Sequence, residues 1–292
     1  MTITKHMNGN LLIEIQDDGT KTREYAGEPQ PEFPESIDVK ITNKCDGGCP
    51  YCHEESTIDG REFDQVRALE LLKGLPSGTE LAIGGGDPLS VEGIEGFLQE
   101  LKDAGLIVNI TVNAKHTRQY HDKILNLVNN SLIKGLGISY VSSVKVDKEL
   151  VTENTVFHLI MGVHRVWDID KIKDLYGSTK VLILGFKQKG RGATYPQELI
   201  SDNIIEWNQW LGMAFTGAKV VSFDNLAIEQ LGIKNRLDEE TWNQFYMGDD
   251  GQFTMYLDLV ERVYAKSSTS LERPWIFPNK TIKDCFRDLL SH

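Results

Sequence analysis

The sequence has 292 residues, of which 40% are hydrophobic and 25% are charged, and its formal net charge is −12. This size is enough to bury one large hydrophobic core or two modest ones. The acidic balance and the lack of a basic run disfavour polymeric nucleic acid as a partner, whereas a small anionic ligand needs only a local pocket. The sequence contains no apolar run of about 18 residues and no secretory signal, so we expect no membrane association and a cytoplasmic location.

The first part of the chain, residues 1–33, predicts a hairpin and a linker. Residues 10–25 contain two short β-rich runs around Asp18-Gly19, a dipeptide typical of hairpin turns. A linker that contains prolines follows. We expect this hairpin to form a lid or an extension at the edge of the main sheet.

From Ser36 onward, short β-rich runs alternate with amphipathic stretches whose apolar residues recur at three and four spacing. Six such βα repeats end near Phe215, and this order predicts stacked βα units around a parallel sheet. We assign residues 34–215 to this core. The runs that we interpret as strands are 36–42, 79–85, 106–113, 135–141, 156–163 and 180–186.

The last part of the chain, residues 216–292, breaks this rhythm. Residues 220–232 predict one more strand and a helix, which would close the open side of a barrel. Residues 252–270 alternate apolar and polar side chains and predict a second hairpin outside the βα series. Its apolar face would present, at period two, Phe253, Met255, Leu257 and Leu259.

Three of the four cysteines directly follow the first predicted strand of the βα core. They therefore lie at the carboxyl end of a parallel sheet, where such sheets place their functional sites. Without an export signal, such thiols favour metal binding or chemistry over disulfides. A structural zinc site requires four ligands, usually in two CxxC pairs; the sequence has no second pair, and His53 is poorly spaced as a substitute. A 4Fe-4S cluster can be held by three thiolates, which leaves one iron open to an exogenous ligand.

The spacing Cys45-x3-Cys49-x2-Cys52, with Tyr51 before the third cysteine, resembles the signature of the radical S-adenosylmethionine (radical SAM) enzymes. The resemblance implies a partial (β/α)6 TIM-type barrel with β-hairpin extensions at both ends. It also implies a 4Fe-4S cluster on the three cysteines, with S-adenosylmethionine chelated to the open iron. In that family the reduced cluster cleaves the cofactor to a 5′-deoxyadenosyl radical, which abstracts a substrate hydrogen, and a flavodoxin or ferredoxin supplies the electron.

The resemblance assigns residues at three further strand ends to cofactor binding. The second strand ends in Gly84, Gly85, Gly86 and Asp87, and Gly85-Gly86-Asp87-Pro88 is similar to the family's Gly-Gly-Glu-Pro segment except that Asp replaces Glu. A tight glycine turn is the structural alternative. Asn113 ends the third strand, and Ser139 ends the fourth, where the family commonly contacts the cofactor ribose. Either residue could instead simply finish its strand.

Two cations and two histidines lie near the last strands of the core. Lys187 and Arg191, in a segment similar to one in peptide-modifying members, suit the carboxylate of S-adenosylmethionine. A solvated basic loop is the alternative. His158 and His164 flank the fifth strand; each could contact substrate, although a histidine satisfied by a backbone partner is the expected case.

The C-terminal part resembles the outline of the SPASM or Twitch regions that carry auxiliary clusters in peptide-modifying members. Met247, Ser267 and Ser268 stand where thiolates would be expected, so we interpret it as a degenerate version without a cluster that shapes the substrate site. The fourth cysteine, Cys285, is expected to be buried on a terminal helix. The alternative is a thiol that reaches the barrel mouth and donates a hydrogen atom.

These features predict a radical SAM enzyme that abstracts hydrogen from a peptide or protein side chain. A nucleoside-like or other small metabolite is an alternative substrate. A third interpretation, which belongs to a different class of function, is a zinc or iron-sulfur binding module without catalysis.

Overall fold

The computed structural model describes residues 2–291 and contains twelve strands and eight α-helices in that part of the chain. The strands are β1 (Thr2–Asn8), β2 (Leu11–Gln16), β3 (Lys21–Glu24), β4 (Ser36–Thr42), β5 (Glu80–Gly85), β6 (Ile107–Asn113), β7 (Gly135–Ser139), β8 (Thr155–Ile160), β9 (Lys180–Leu184), β10 (Val220–Phe223), β11 (Thr254–Asp258) and β12 (Val263–Ala265). The helices are α1 (Gln65–Leu72), α2 (Ile94–Asp103), α3 (His121–Asn129), α4 (Asp168–Tyr176), α5 (Gln197–Gly217), α6 (Asn225–Leu231), α7 (Glu239–Phe245) and α8 (Ile282–Ser291). Within residues 2–291, none of the helices combines the length and apolar character needed to cross a membrane.

Nine strands form the main sheet, in the order β10-β9-β8-β7-β6-β5-β4-β11-β12. All neighbours are parallel except the last pair, β11 and β12, which is antiparallel. The predicted α/β fold and its six βα strands, β4 to β9, are confirmed, and the mainly parallel sheet is consistent with a partial barrel. The predicted additional strand and helix exist as β10 and α6. However, β10 extends one end of the sheet, and in the described residues it does not pair with the strands at the other end.

Successive side chains along each strand point alternately to the helix side of the sheet and to the barrel interior. On β4, Ile37, Val39 and Ile41 are almost completely buried under the helices. Because side chains alternate along a strand, Asp38 and Lys40 belong to the inner face. On the outside, α2 buries apolar residues at three and four spacing, which explains why this amphipathic segment folds as a helix against the sheet. The interior face of β4 is therefore polar.

The first three strands form a separate antiparallel sheet at the amino ends of the barrel strands. The predicted hairpin around Asp18-Gly19 is confirmed as β2 and β3, and β1 is an additional strand. Ion pairs join this sheet to the main one, from Lys21 to Glu80 at 2.5 Å and from Arg23 to Glu35 at 2.7 Å. The sheet covers the end opposite the cysteines, so it does not extend the edge of the main sheet.

The expected position of the C-terminal hairpin needs correction. Its strands β11 and β12 exist, but β11 pairs in parallel with β4 and is thus part of the main sheet. Residues 255–258 are buried on both faces, unlike the one-sided alternation that we expected. The hairpin is held by backbone hydrogen bonds as well as packing. The division of the chain at residues 33 and 215 stays a prediction.

Candidate functional site

A cavity of about 290 Å³ lies inside the barrel, at the carboxyl ends of the strands. It brings together most of the residues that the sequence predicts for the site. Those that line it are Cys45, Cys49, Tyr51, Cys52, Gly84, Gly85, Gly86, Asn113, Ser139 and Lys187. Asp87 and Arg191 are not part of its lining. Both of these residues instead contact segments that support the cavity wall.

Small residues on β5 and β7 shape the cavity wall, Gly84 by leaving open space and Gly137 by accommodating a neighbouring side chain. A Cβ atom at Gly84 would meet no other atom within 4 Å, so this glycine leaves open space. A Cβ atom at Gly137 would lie 2.6 Å from Cε1 of His158, so the missing side chain accommodates that imidazole. Glycine inside a strand often marks such a close approach of a ligand or another group. The wall formed by these strands can therefore receive a bound molecule.

The cysteine loop fits a cluster better than a single ion. The thiols of Cys45, Cys49 and Cys52 are half-buried and face one cavity. Among residues 2–291, these three sulfur atoms do not form a set within 4.8 Å of one another. Four thiolates around one zinc ion lie only about 3.8 Å apart, given a Zn–S bond of about 2.3 Å, whereas a cluster spans a larger distance. Burial also raises the pKa of Cys45, and bound metal would compensate the thiolate charge.

A smaller set of possible ligand atoms surrounds Cys45. Its sulfur lies within 4.8 Å of a carboxylate oxygen of Asp46 and a ring nitrogen of His116. Nε2 of His116 and Oδ1 of Asp46 are already hydrogen-bonded to each other at 2.8 Å. We interpret this pair as a strap that holds the loop.

The glycine segment at the end of β5 packs backbone against backbone beside the cysteine loop. A Cβ atom at Gly86 would lie 2.3 Å from the carbonyl oxygen of Lys44, and Gly85 has a φ of +112°. The N–H groups of Gly86 and Asp87 donate to the carbonyls of Thr42 and Lys44, both at 2.7 Å. These glycines therefore fix the segment that leads into Cys45, in addition to lining the cavity.

Two residues that follow β6 also hold the cysteine loop, and sequence reasoning missed both of them. Lys115 Nζ donates to the carbonyl of Gly47 at 2.8 Å, and the buried His116 contacts Asp46. Their position directly after a predicted strand end is the feature of the sequence that could have identified them. Nδ1 of His116 lies 3.6 Å from Oδ2 of Asp87. Burial raises the pKa of Asp87, while the nearby imidazole opposes that shift.

The two predicted cations have different surroundings. Arg191 donates from Nε to the carbonyl of Cys49 at 2.8 Å and from Nη1 to that of Ser56 at 3.0 Å. It therefore holds the middle of the cysteine loop, at Cys49, to its later part, at Ser56. Lys187 faces the cavity and donates to the hydroxyl of Ser268 at 2.7 Å. Of the two, Lys187 is the cation that a ligand in the cavity can reach.

Three other predicted residues line the cavity. Asn113 Nδ2 lies 3.5 Å from the sulfur of Cys49. The ring of Tyr51 packs edge to face against Tyr195, with centroids 5.8 Å apart. Ser139 lies at the end of β7, beside His158 on the neighbouring strand. Their assignment to the cofactor stays a prediction.

The two histidines near β8 behave differently. His164 is satisfied as expected: Nδ1 accepts from the N–H of Ile160 at 2.9 Å, and Nε2 lies 3.0 Å from the carbonyl oxygen of Tyr140. His158 lies within β8, and both histidines line the cavity. Burial lowers its pKa to about 4, so its imidazole is neutral at pH 7.

A buried ion network joins the cysteine loop to two strands, and it was not predicted. Lys40 Nζ lies 2.6 Å from Oε2 of Glu54 and 3.0 Å from Oδ2 of Asp258. Burial disfavours the charged forms, but the two carboxylates outweigh it and raise the pKa of Lys40. Contacts with His53 and Lys40 likewise outweigh burial and hold the pKa of Glu54 far below its ordinary value. Because burial lowers the pKa of His53, Lys40 supplies the positive charge.

The C-terminal part contributes to the cavity wall through Tyr256 and Ser268. Cys285 lies on α8 and is fully buried in the hydrophobic core, as expected. It does not line the cavity, so the alternative of a hydrogen-donating thiol at the barrel mouth is wrong.

Comparisons with known proteins find solved structures of similar fold. No protein-family model matches the chain, and no curated protein matches it either. Among solved structures, the fold is similar to that of SuiB from Streptococcus suis bound to precursor peptide SuiA. The TM-score is 0.62 at 11% identity, over 88% of this chain and 65% of SuiB.

Two other SuiB structures give similar results. SuiB bound to S-adenosylmethionine matches with a TM-score of 0.56 at 11% identity, over 84% of this chain and 63% of SuiB. SuiB alone matches with a TM-score of 0.55 at 13% identity, over 88% of this chain and 66% of SuiB. The chain thus spans slightly less than two thirds of the length of SuiB. At these identities the similarity is one of fold.

Proposed function

We propose that this chain is a radical SAM enzyme. The observation that carries the proposal is that the Cys-x3-Cys-x2-Cys thiols share one barrel cavity with Gly84, Asn113 and Ser139, which the family resemblance assigns to cofactor binding. The fold similarity to SuiB, which has been crystallised with S-adenosylmethionine, gives independent support.

In this proposal Cys45, Cys49 and Cys52 hold a 4Fe-4S cluster. With S-adenosylmethionine bound, this group would supply the one-electron chemistry for abstracting a hydrogen atom from the substrate. The side chains of Arg191 and His116 hold the cysteine loop in place. The missing side chain at Gly84 leaves room for the cofactor. The barrel walls enclose the reacting groups and limit their access to water.

We further propose that the substrate is a peptide or protein side chain. Two observations support this class: the Gly-Arg-Gly segment after β9, and the similarity to a SuiB structure that contains a precursor peptide. A C-terminal wall that includes Tyr256 and Ser268 would shape the space for that side chain.

The proposal is tested by anaerobic reconstitution with iron and sulfide, followed by S-adenosylmethionine and dithionite. We expect about four iron atoms per chain and the formation of 5′-deoxyadenosine and methionine. The variants Cys45→Ala, Cys49→Ala and Cys52→Ala should lose both the cluster and the cleavage. Cys285→Ala is the matched control and should retain its iron, because this thiol is buried away from the cavity. Zinc without iron, or a cluster without cofactor cleavage, would contradict the proposal and favour a binding module.

A further inference from the structure

Asp38 is a carboxyl group without a partner inside the barrel. It lines the cavity and is accessible from it, although protein surrounds it. In the part of the chain that the structure describes, it accepts no hydrogen bond and forms no ion pair. The neighbouring carboxylates do have partners: Asp258 pairs with Lys40, and Asp224 accepts the N–H groups of Gly185 and Ala227.

The side chain of Asp38 is accessible from the cavity, and the described residues supply it with no donor, so water or a bound ligand completes its contacts. Burial raises the pKa of Asp38, and the positive charge of Lys187 opposes this shift without cancelling it. Lys187 itself donates to Ser268. Unpaired polar groups of this kind are frequent where a ligand completes the set of contacts.

The charges around Asp38 favour a cationic ligand. Asp224 and Asp250 add negative charge near Asp38, and Lys187 is the single cation that acts on it noticeably within the described residues. The net charge of the whole chain, −12, adds to this negative potential at longer range. Directly against the Asp38 carboxylate, a second anionic group would be repelled and an apolar group would supply no hydrogen-bond donor, whereas a cationic group would supply both charge and donors.

The cavity has room for a ligand group beside Asp38. In the sheet register, Asp38 lies next to Ala82 on β5 and Tyr256 on β11, and both residues also line the cavity. Ala82 leaves space on one side, and Tyr256 provides an aromatic wall on the other. A slender aliphatic chain that ends in a charged group suits this shape.

We infer that Asp38 is a recognition residue of the substrate pocket and that the substrate places a primary ammonium or guanidinium group against it. This inference rests on the proposed function, because it specifies the chemistry of the substrate at that same site. The cation could belong to a basic side chain of a peptide or to a free amine. Both sources share the charged group that the carboxylate recognises.

The test compares small probes on the reconstituted protein with S-adenosylmethionine bound, by anaerobic titration calorimetry. The first probe is Nα-acetyl-lysine N-methylamide. Its controls are the norleucine analogue, which lacks the ammonium group, and the Nε-acetylated analogue, which lacks the charge. We expect the lysine probe to bind at least about tenfold more tightly than either control. Cadaverine forms a separate arm: tighter binding of this diamine than of the lysine probe would assign the site to a free amine.

Two variants test whether Asp38 causes the preference for the charged probe. In Asp38→Asn the preference for the charged probe should disappear, whereas Asp174→Asn, which changes an exposed residue of α4, should preserve it. If the wild-type protein does not bind the basic probes more tightly than the neutral ones, or binds none of them, the inference is wrong. This comparison uses only the wild-type protein, so it does not depend on whether a variant folds. Formation of 5′-deoxyadenosine by the same preparation separates failure of this inference from failure of the proposed function.

Discussion

The ring nitrogen Nε2 of His116 lies 2.8 Å from Oδ1 of Asp46, and this contact joins the end of β6 to the loop that carries the three cysteines. The histidine is buried, whereas the Asp46 side chain is 61% exposed. The fixed partner is therefore the histidine, and the exposed loop is what it restrains. A restrained loop keeps its thiols in position when no metal is bound, which reduces the ordering cost of binding a cluster.

Replacing His116 by Ala should weaken retention of the cluster. Loss of this hydrogen bond is worth about 1–2 kcal/mol, so we expect release of iron to a chelator to accelerate about tenfold. The rate can be followed by the decay of the iron-sulfur absorbance. His121→Ala, which changes a histidine on α3 outside the cavity, is the matched control. Equal rates in the two variants would show that the strap does not stabilise the site.

Two neighbouring glycines should respond to the same substitution in different ways. Gly86→Ala would place a methyl group 2.3 Å from a backbone oxygen of Lys44 and should lower the free energy of unfolding by about 1–3 kcal/mol or more. Gly84→Ala meets open space and should leave the melting temperature nearly unchanged. Because its methyl group enters the cavity, we expect weaker binding of S-adenosylmethionine. Thermal unfolding and equilibrium dialysis separate the effects; similar melting temperatures for both variants would contradict the close backbone packing.

Lys187 and Arg191 should also be distinguishable. If Lys187 pairs with the cofactor carboxylate, Lys187→Ala should weaken binding of S-adenosylmethionine about ten- to a hundredfold with the iron content unchanged. Arg191→Ala should instead lower the iron content, because it releases the carbonyls of Cys49 and Ser56. Both quantities are measured on anaerobically reconstituted samples. An unchanged cofactor affinity in the Lys187 variant would remove that residue from the cofactor site.

The buried network of Lys40 predicts a dependence of stability on pH. Lys40→Met leaves the carboxylates of Glu54 and Asp258 without their cation, so we expect a loss of about 3–5 kcal/mol at pH 7. The pKa of Glu54 is depressed in the folded protein, so its stabilising contribution is present at neutral pH and is lost as the pH falls. The difference between variant and wild type should therefore narrow in acid.

Urea unfolding at pH 7 and at about pH 3, which lies below the ordinary pKa of a glutamate, measures this effect. Lys73→Met breaks an exposed pair with Glu100 and serves as control, with an expected cost below about 1 kcal/mol at either pH. A difference between Lys40→Met and wild type that grows in acid would contradict the assignment of charges in the network.

Local patterns were enough to predict the βα core and the cysteine loop. The six strands β4 to β9 are short runs bounded by turns, and the three cysteines are close in sequence, so neither feature depends on distant partners. The pairing of β11 with β4 could not be predicted in this way. Its residues were interpreted as a one-sided hairpin, but a strand inside a parallel sheet is buried on both faces.

The same limitation applies to the site. Lys40, Glu54 and Asp258 contact one another only after the sheet has formed, and each looks like an ordinary polar residue in its own segment. Arg191 was identified as a functional cation, but only its contacts reveal that it holds the loop carbonyls. Spacing identified which residues gather at the cavity, whereas the partner of each side chain required the fold.

The pairing of β4 with β11 has a consequence for how the protein is made. β4 leads directly into the cysteine loop and emerges early from the ribosome, yet one of its two neighbours, β11, is synthesised only after most of the chain. Until then, one edge of β4 has no strand beside it, and Lys40 lacks Asp258. Contacts that are this distant in sequence form late during folding. If the loop binds the proposed cluster, insertion of the metal into a properly supported loop would therefore be a task for the nearly finished polypeptide, and a nascent chain that stalls before β11 would present its thiols beside an unprotected sheet edge.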